Sequence, residues 1–188
     1  SLELYRELGG REDAQCIPDT LFHWYDDLKD ARRHLPEDGD FVIPYGWEDR
    51  RHFGRLDLSS PYVCVTGGSR AAFTPEDASE GFCRLVSRLH ELEHSVYLVP
   101  TCGGDRFLHE VAEETGTPII PGEVPILMGG AILANARLFV TGRYHPSIMA
   151  ASGGTPCVFL GADSHKTLSI QRMLGYDEPH AFSAIPPP

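Results

Sequence analysis

The sequence predicts an α/β fold for most of the chain, and three observations after Pro61 carry that expectation. Short runs rich in apolar and β-branched residues alternate with stretches of helical periodicity. The runs are apolar throughout, which marks strands covered on both faces of a parallel sheet. Each run leads into a glycine-containing or polar loop, as at Gly67-Gly68 and Gly103-Gly104. Right-handed crossovers then give a doubly wound, mostly parallel, Rossmann-like sheet.

The elements follow in order. Tyr62 to Thr66 reads as a buried strand. Thr74 resembles a helix N-cap, with Pro75 at the first helical position and Asp77 three residues after the cap. Ala78, Phe82, Leu85, Val86, Leu89 and Leu92 then mark one face of a long amphipathic helix. Val96 to Val99 is the next strand, and Phe107, Leu108, Val111 and Ala112 mark a second helix stopped at Gly116. Thr117 to Ile120 is expected as a third strand and Ile126 to Asn135 as a third helix, weakened by Gly129-Gly130. Leu138 to Thr141 is a strand, Pro146 to Ser152 a helix ended by Gly153-Gly154, Pro156 to Leu160 a strand, and Thr167 to Leu174 a final helix.

The front of the chain lacks this alternation. Ser1 to Leu8 reads as a helix stopped by Gly9-Gly10, and Ala14 to Ile17 as a strand left by Pro18-Asp19. Pro36, Gly39, Pro44, Gly46 and Gly54 make residues 35–61 loop-rich, with one short strand at Phe41-Val42-Ile43.

Charge narrows the function classes. The 188 residues carry 16 Lys+Arg against 27 Asp+Glu, a net charge of −11. Phosphate backbones demand clustered cations, so no nucleic-acid partner is expected. No run approaches the ~20 apolar residues of a membrane span. The N-terminal residues lack a charged region followed by an apolar one, so no signal peptide is expected. The 5 cysteines are odd in number and contain no C-x-x-C pair, which disfavours a disulfide framework or zinc knuckle. Cys64 and Cys157 lie in apolar runs as small core residues. A reducing, cytoplasmic compartment is the simplest expectation.

In a doubly wound sheet, ligands sit beyond the carboxyl ends of the strands. The loops there are Gly67-Gly68-Ser69-Arg70, Thr101 to Arg106, Gly142 to Pro146, and Gly161 to Lys166. Arg143 and His145 form the sharpest pair. An arginine beside a helix N-terminus can grip a carboxylate or phosphate through its planar fork, and a histidine two residues on can donate a proton near neutral pH. The same pair also admits a structural reading, with Arg143 in an ion pair and His145 capping a helix. Gly67, Gly68, Gly103 and Gly104 can offer backbone N–H groups to an anion, or simply permit tight turns. Arg70, Arg106 and Lys166 are single cations upgraded only by their shared position at strand ends. His90 and His94 are spaced i, i+4 but lack an H-E-x-x-H frame, so no metal site is expected. Phe22 to Tyr25 is an aromatic cluster suited to core packing or a lobe interface.

The stretch from Asn135 to Val158 contains a strand, Arg143-Tyr144-His145, a small-residue helix, Gly154-Thr155-Pro156 and another strand. It resembles the signature of the polysaccharide pyruvyl transferase family. Lys166 beyond the next strand resembles the family too, as does Ser1 to Gly9 followed by Ile17-Pro18-Asp19. The resemblance implies the C-terminal lobe of a GT-B-like fold. Residues 1–34 are then the remnant or linker of an N-terminal lobe, 35–61 a loop-rich connection, and 62–188 the Rossmann-like C-terminal lobe, most of the other lobe being missing. It implies transfer of a pyruvyl group from phosphoenolpyruvate to sugar hydroxyls as a ketal, in cell-surface or exopolysaccharide biosynthesis. His145 and Arg143 would be catalytic. Arg70, Gly67, Gly68, Gly103, Gly104, Tyr144 and Lys166 would bind substrate. No cofactor or metal is implied beyond the phosphoenolpyruvate donor. Partners would be that donor, a saccharide acceptor, and an N-terminal lobe or a second copy of the chain. Two alternatives stand beside this reading: a GT-B-type glycosyltransferase lobe using a nucleotide sugar, and a non-catalytic anion-binding half-domain.

Overall fold

The computed structural model describes residues 2–15, 17–35, 40–41, 56–122, 124–162 and 164–187. Its centre is a four-stranded, all-parallel sheet of β3 (Tyr62–Gly68), β4 (Ser95–Leu98), β5 (Leu138–Gly142) and β6 (Cys157–Phe159), in the order β4-β3-β5-β6. Single parallel bridges extend it on both sides, Leu98 with Ile119 outside β4 and Leu160 with Phe182 outside β6. Counting those bridges, the spatial order is that of a doubly wound sheet, with the reversal between β3 and β5. The Rossmann-like expectation therefore holds.

Two-residue periodicity divides the core. Tyr62, Cys64, Tyr97, Phe139 and Phe159 face one side of the sheet, against α5 (Ile126–Ala134), α6 (Tyr144–Ser152) and α7 (Lys166–Met173). Val63, Val65, Val96, Leu98 and Val140 face the other, against α3 (Pro75–Glu91) and α4 (Phe107–Thr115). Both faces are covered, so the strands are apolar throughout. The Phe82 and Phe107 rings meet edge-on at 5.1 Å and join α3 to α4. On the opposite face the buried Tyr62 hydroxyl donates to the Ile132 carbonyl at 2.6 Å, fixing α5 over β3. Burial from water pushes the Tyr62 hydroxyl well above its ordinary value.

The front segment joins the first of these cores. It comprises α1 (Leu2–Glu7), a 3₁₀ turn at Thr20–Trp24, α2 (Tyr25–Leu28) and a 3₁₀ turn at Ala31–His34. Leu28, Ala31 and Leu35 are buried there, with Phe22 and Trp24 packed against them. A two-residue antiparallel pair, β1 (Asp40–Phe41) with β2 (Leu56–Asp57), follows. The rest of the expected strand, Val42 and Ile43, lies outside the described residues.

Several elements differ from expectation. Ala14, Gln15 and Ile17 are not in a strand; Ile17 is 77% exposed and pairs with no strand among the described residues. Thr117 to Ile120 makes one bridge rather than a strand. Thr74 precedes α3 as expected, but its side chain makes no capping bond. The helix expected from Pro146 starts two residues earlier, at Tyr144, so His145 lies within its first turn. Gly116 does end α4, in the left-handed region at φ 66°. Among the described residues no helix is long and apolar enough to cross a membrane.

The reversal point brings two strand backbones close together. Gly68 pairs with Gly142 after a register shift, and a Cβ on Gly142 would lie 2.8 Å from the Gly68 Cα. Gly142→Ala should therefore cost about 1–3 kcal/mol, as overpacked backbone must separate. Gly103→Ala, which meets nothing within 4 Å, should stay within about 0.5 kcal/mol of the parent. Urea midpoints of the two variants check this, and equal midpoints would reject it.

Candidate active site

Arg143 is the last residue before α6, at the carboxyl end of β5. Its Nη2 donates to Asp105 Oδ1 at 2.6 Å. The Asp105 side chain is fully buried and that of Arg143 is 17% exposed. Asp105 closes a 3₁₀ turn, Gly103–Asp105, after β4. Its other oxygen accepts from the Thr101 N–H at 2.9 Å and the Thr101 hydroxyl at 3.0 Å, with the Thr66 hydroxyl at 3.4 Å. The Arg143 N–H donates to Thr141 Oγ1 at 2.9 Å, which fixes the backbone from which the side chain leaves. A buried carboxylate needs such a set of donors and a counter-charge.

The glycines around this pair give it room. A Cβ on Gly67 would lie 2.5 Å from Asp105 Oδ1, and one on Gly104 would lie 3.1 Å from Arg143 Nη2. Gly67 and Gly68 are buried within β3, while Gly103 is exposed. Close approach thus accounts for Gly67 and Gly68 directly.

Arg143, Tyr144 and His145 line a cleft of about 450 Å³. The rest of its lining is largely apolar, with Val99, Ile120, Val124, Leu133 and Met149. Cys102 stands at the same cleft and is exposed. Burial holds the other described thiols up: Cys64 well above its ordinary value, Cys83 at about 11 and Cys157 at about 12.

The structure brings some expected residues together and leaves others apart. Lys166 Nζ lies 5.9 Å from the Tyr144 ring centroid, a cation–π distance. The Tyr144 and His145 rings meet edge-on at 5.2 Å. Arg70 and Arg106 are exposed, and neither lines the cleft. His90 Nε2 lies 3.5 Å from Thr117 Oγ1, and His90 does not line the cleft either.

Sequence reasoning missed Asp105 as the partner of Arg143, and Thr101 and Thr66 as donors to Asp105. Asp105 is 38 residues from Arg143. An acid directly after Gly103-Gly104, at the end of a buried strand, was the available signal.

The fold and this cleft define a Rossmann-like α/β protein with an arginine and a histidine at the reversal of its sheet. Residues 82–164, in the C-terminal part of the chain, match the polysaccharide pyruvyl transferase family. The match spans Asp105, Arg143, Tyr144 and His145, and excludes Gly67, Gly68, Arg70 and Lys166. Neither a curated protein nor a solved structure matches the chain.

Arg143→Ala should destabilise the protein by about 3 kcal/mol, the lower end for breaking a buried pair, because Asp105 would keep its charge without a counter-charge. Arg143→Lys should lose less, since the charge remains and only the fork is removed. Urea unfolding tests the order, and an Arg143→Ala midpoint equal to that of the parent would overturn it.

Proposed function

We propose that the protein is a pyruvyl transferase, moving the pyruvyl group of phosphoenolpyruvate onto two hydroxyls of a saccharide as a ketal. The family match supports a transferase. The observation that carries the finer reading is the placement of Arg143 and His145 in one cleft, with Arg143 anchored by a buried carboxylate.

The residues suit the donor. One guanidinium nitrogen of Arg143 is committed to Asp105, and the side chain stays 17% exposed at the cleft. The group is rigidly placed with donor capacity left for a carboxylate or phosphate oxygen. His145, 61% exposed, is accessible to a ligand in the cleft.

The reaction balances without a redox step. An acid protonates the methylene carbon of phosphoenolpyruvate, making its neighbouring carbon electrophilic. One sugar hydroxyl adds there and a second displaces phosphate. The two hydroxyl protons are accounted for by the new methyl group and the released hydrogen phosphate. His145 is the acid in this scheme, and Arg143 holds the anion. Lys166 and Tyr144 stand beside them, and a saccharide acceptor enters from the open side.

Arg143→Lys should bind phosphoenolpyruvate about tenfold more weakly, measured by calorimetry, because a charge-assisted fork becomes a point charge. His145→Gln should lower pyruvyl transfer by ~10²–10⁴-fold with the fold intact. Phosphoenolpyruvate should also shield Cys102 from alkylation, whereas Cys64, Cys83 and Cys157 stay unreactive with or without it. A chain that neither binds phosphoenolpyruvate nor protects Cys102 would sink the reading.

A further inference from the structure

We propose that Asp19 is a positioning residue for His145, holding the imidazole through Nε2 so that Nδ1 is the nitrogen that exchanges a proton with the ligand. Its consequence for turnover rests on the pyruvyl-transfer reading; its geometry does not.

Asp19 precedes the 3₁₀ turn at Thr20–Trp24, and that turn packs on α6, which carries His145 in its first turn. Asp19 Oδ1 accepts from the Leu21 N–H at 2.9 Å. Asp19 Oδ2 lies 3.3 Å from His145 Nε2. One oxygen therefore fixes the carboxylate to the backbone, and the other is aimed at the ring. The Tyr144 ring, edge-on at 5.2 Å, limits the imidazole further.

An ionised carboxylate only accepts, so the nitrogen facing it must carry the hydrogen. In the neutral imidazole Nδ1 is then the acceptor, and in the imidazolium it is the donor available to a substrate. Asp19 is 27% exposed against 61% for His145, so the contact leaves much of the ring open. Both carboxylate oxygens are used at once. Asparagine or serine offers only one side-chain oxygen. Either can cap the turn but cannot also accept from Nε2.

That difference makes the test. Asp19→Ser and Asp19→Asn should retain the urea midpoint of the parent to within about 0.5 kcal/mol, because the cap survives. Long-range ¹H–¹⁵N spectra of His145 in the full chain should show Nε2 protonated and Nδ1 as acceptor in the neutral parent ring. Asp19→Ser should replace that with a mixture of the two tautomers. With phosphoenolpyruvate and a saccharide acceptor, kcat should fall about tenfold with KM little changed, a part of what a general acid contributes. Asp19→Ser should add no further loss once His145 is Gln. Unchanged ring nitrogens in Asp19→Ser would overturn the proposal, whatever the activity does. If the parent transfers no pyruvyl group, the ring spectra still decide the positioning role, and the function reading fails separately.

Discussion

The site depends on one carboxylate that solvent does not reach. Asp105 draws together the end of β3 through Thr66, the loop after β4 through Thr101, and the end of β5 through Arg143. These are the strand ends flanking the sheet's reversal, where a doubly wound fold opens a crevice. A polar group in a water-poor setting is strongly bound when satisfied and costly when not, so the cluster holds as a unit. The glycines follow from it: Gly67 must lack a Cβ because Asp105 occupies that space, and Gly142 must lack one because Gly68 does.

The two readings open for Arg143 at the level of sequence are therefore compatible. It is in a structural ion pair, and it lines the cleft. The pair orients the guanidinium toward the cleft and prevents it from folding away into solvent, which suits the proposed role. Asp19 acts on His145 in a looser way, since both partners keep solvent access. Surface pairs of that kind contribute little stability, which is why the value of the Asp19 contact lies in orientation.

The sheet was legible in the sequence because its strands are buried on both faces and their apolar runs are unbroken. Helices α3 and α4 were legible from periodicity and from Gly116. That Ala14, Gln15 and Ile17 lie outside any strand was not, because a short run with apolar residues carries no information about whether a neighbouring strand edge exists. The start of α6 was hidden because Pro146 suits a first helical turn generally, and the chain enters the helix two residues sooner. Of the cleft, the placement of Arg143 and His145 was legible from their position after a strand. Asp105 and Asp19 were not, because each meets its partner only through the tertiary fold, across 38 residues in one case. Asp19 was visible only as part of a Pro-Asp turn, with nothing local to indicate which side chain its second oxygen would face.

Charge constrains how the proposed anionic donor would be recognised. The chain carries −11 overall, and Asp105 offsets the charge of Arg143. Long-range steering of an anionic ligand is therefore weak, and recognition must come from short-range geometry. The cleft supplies the conditions under which short-range geometry counts. Val99, Ile120, Val124, Leu133 and Met149 make much of its lining apolar, so a donor–acceptor contact inside competes with less water. On the proposed chemistry the same lining would have a second effect. Protonated phosphoenolpyruvate is electrophilic at the carbon a sugar hydroxyl must attack, and water at that carbon would yield pyruvate and phosphate instead. On that chemistry, a cleft that sets Arg143 and His145 among apolar side chains would hold the anion while limiting water at the reacting carbon.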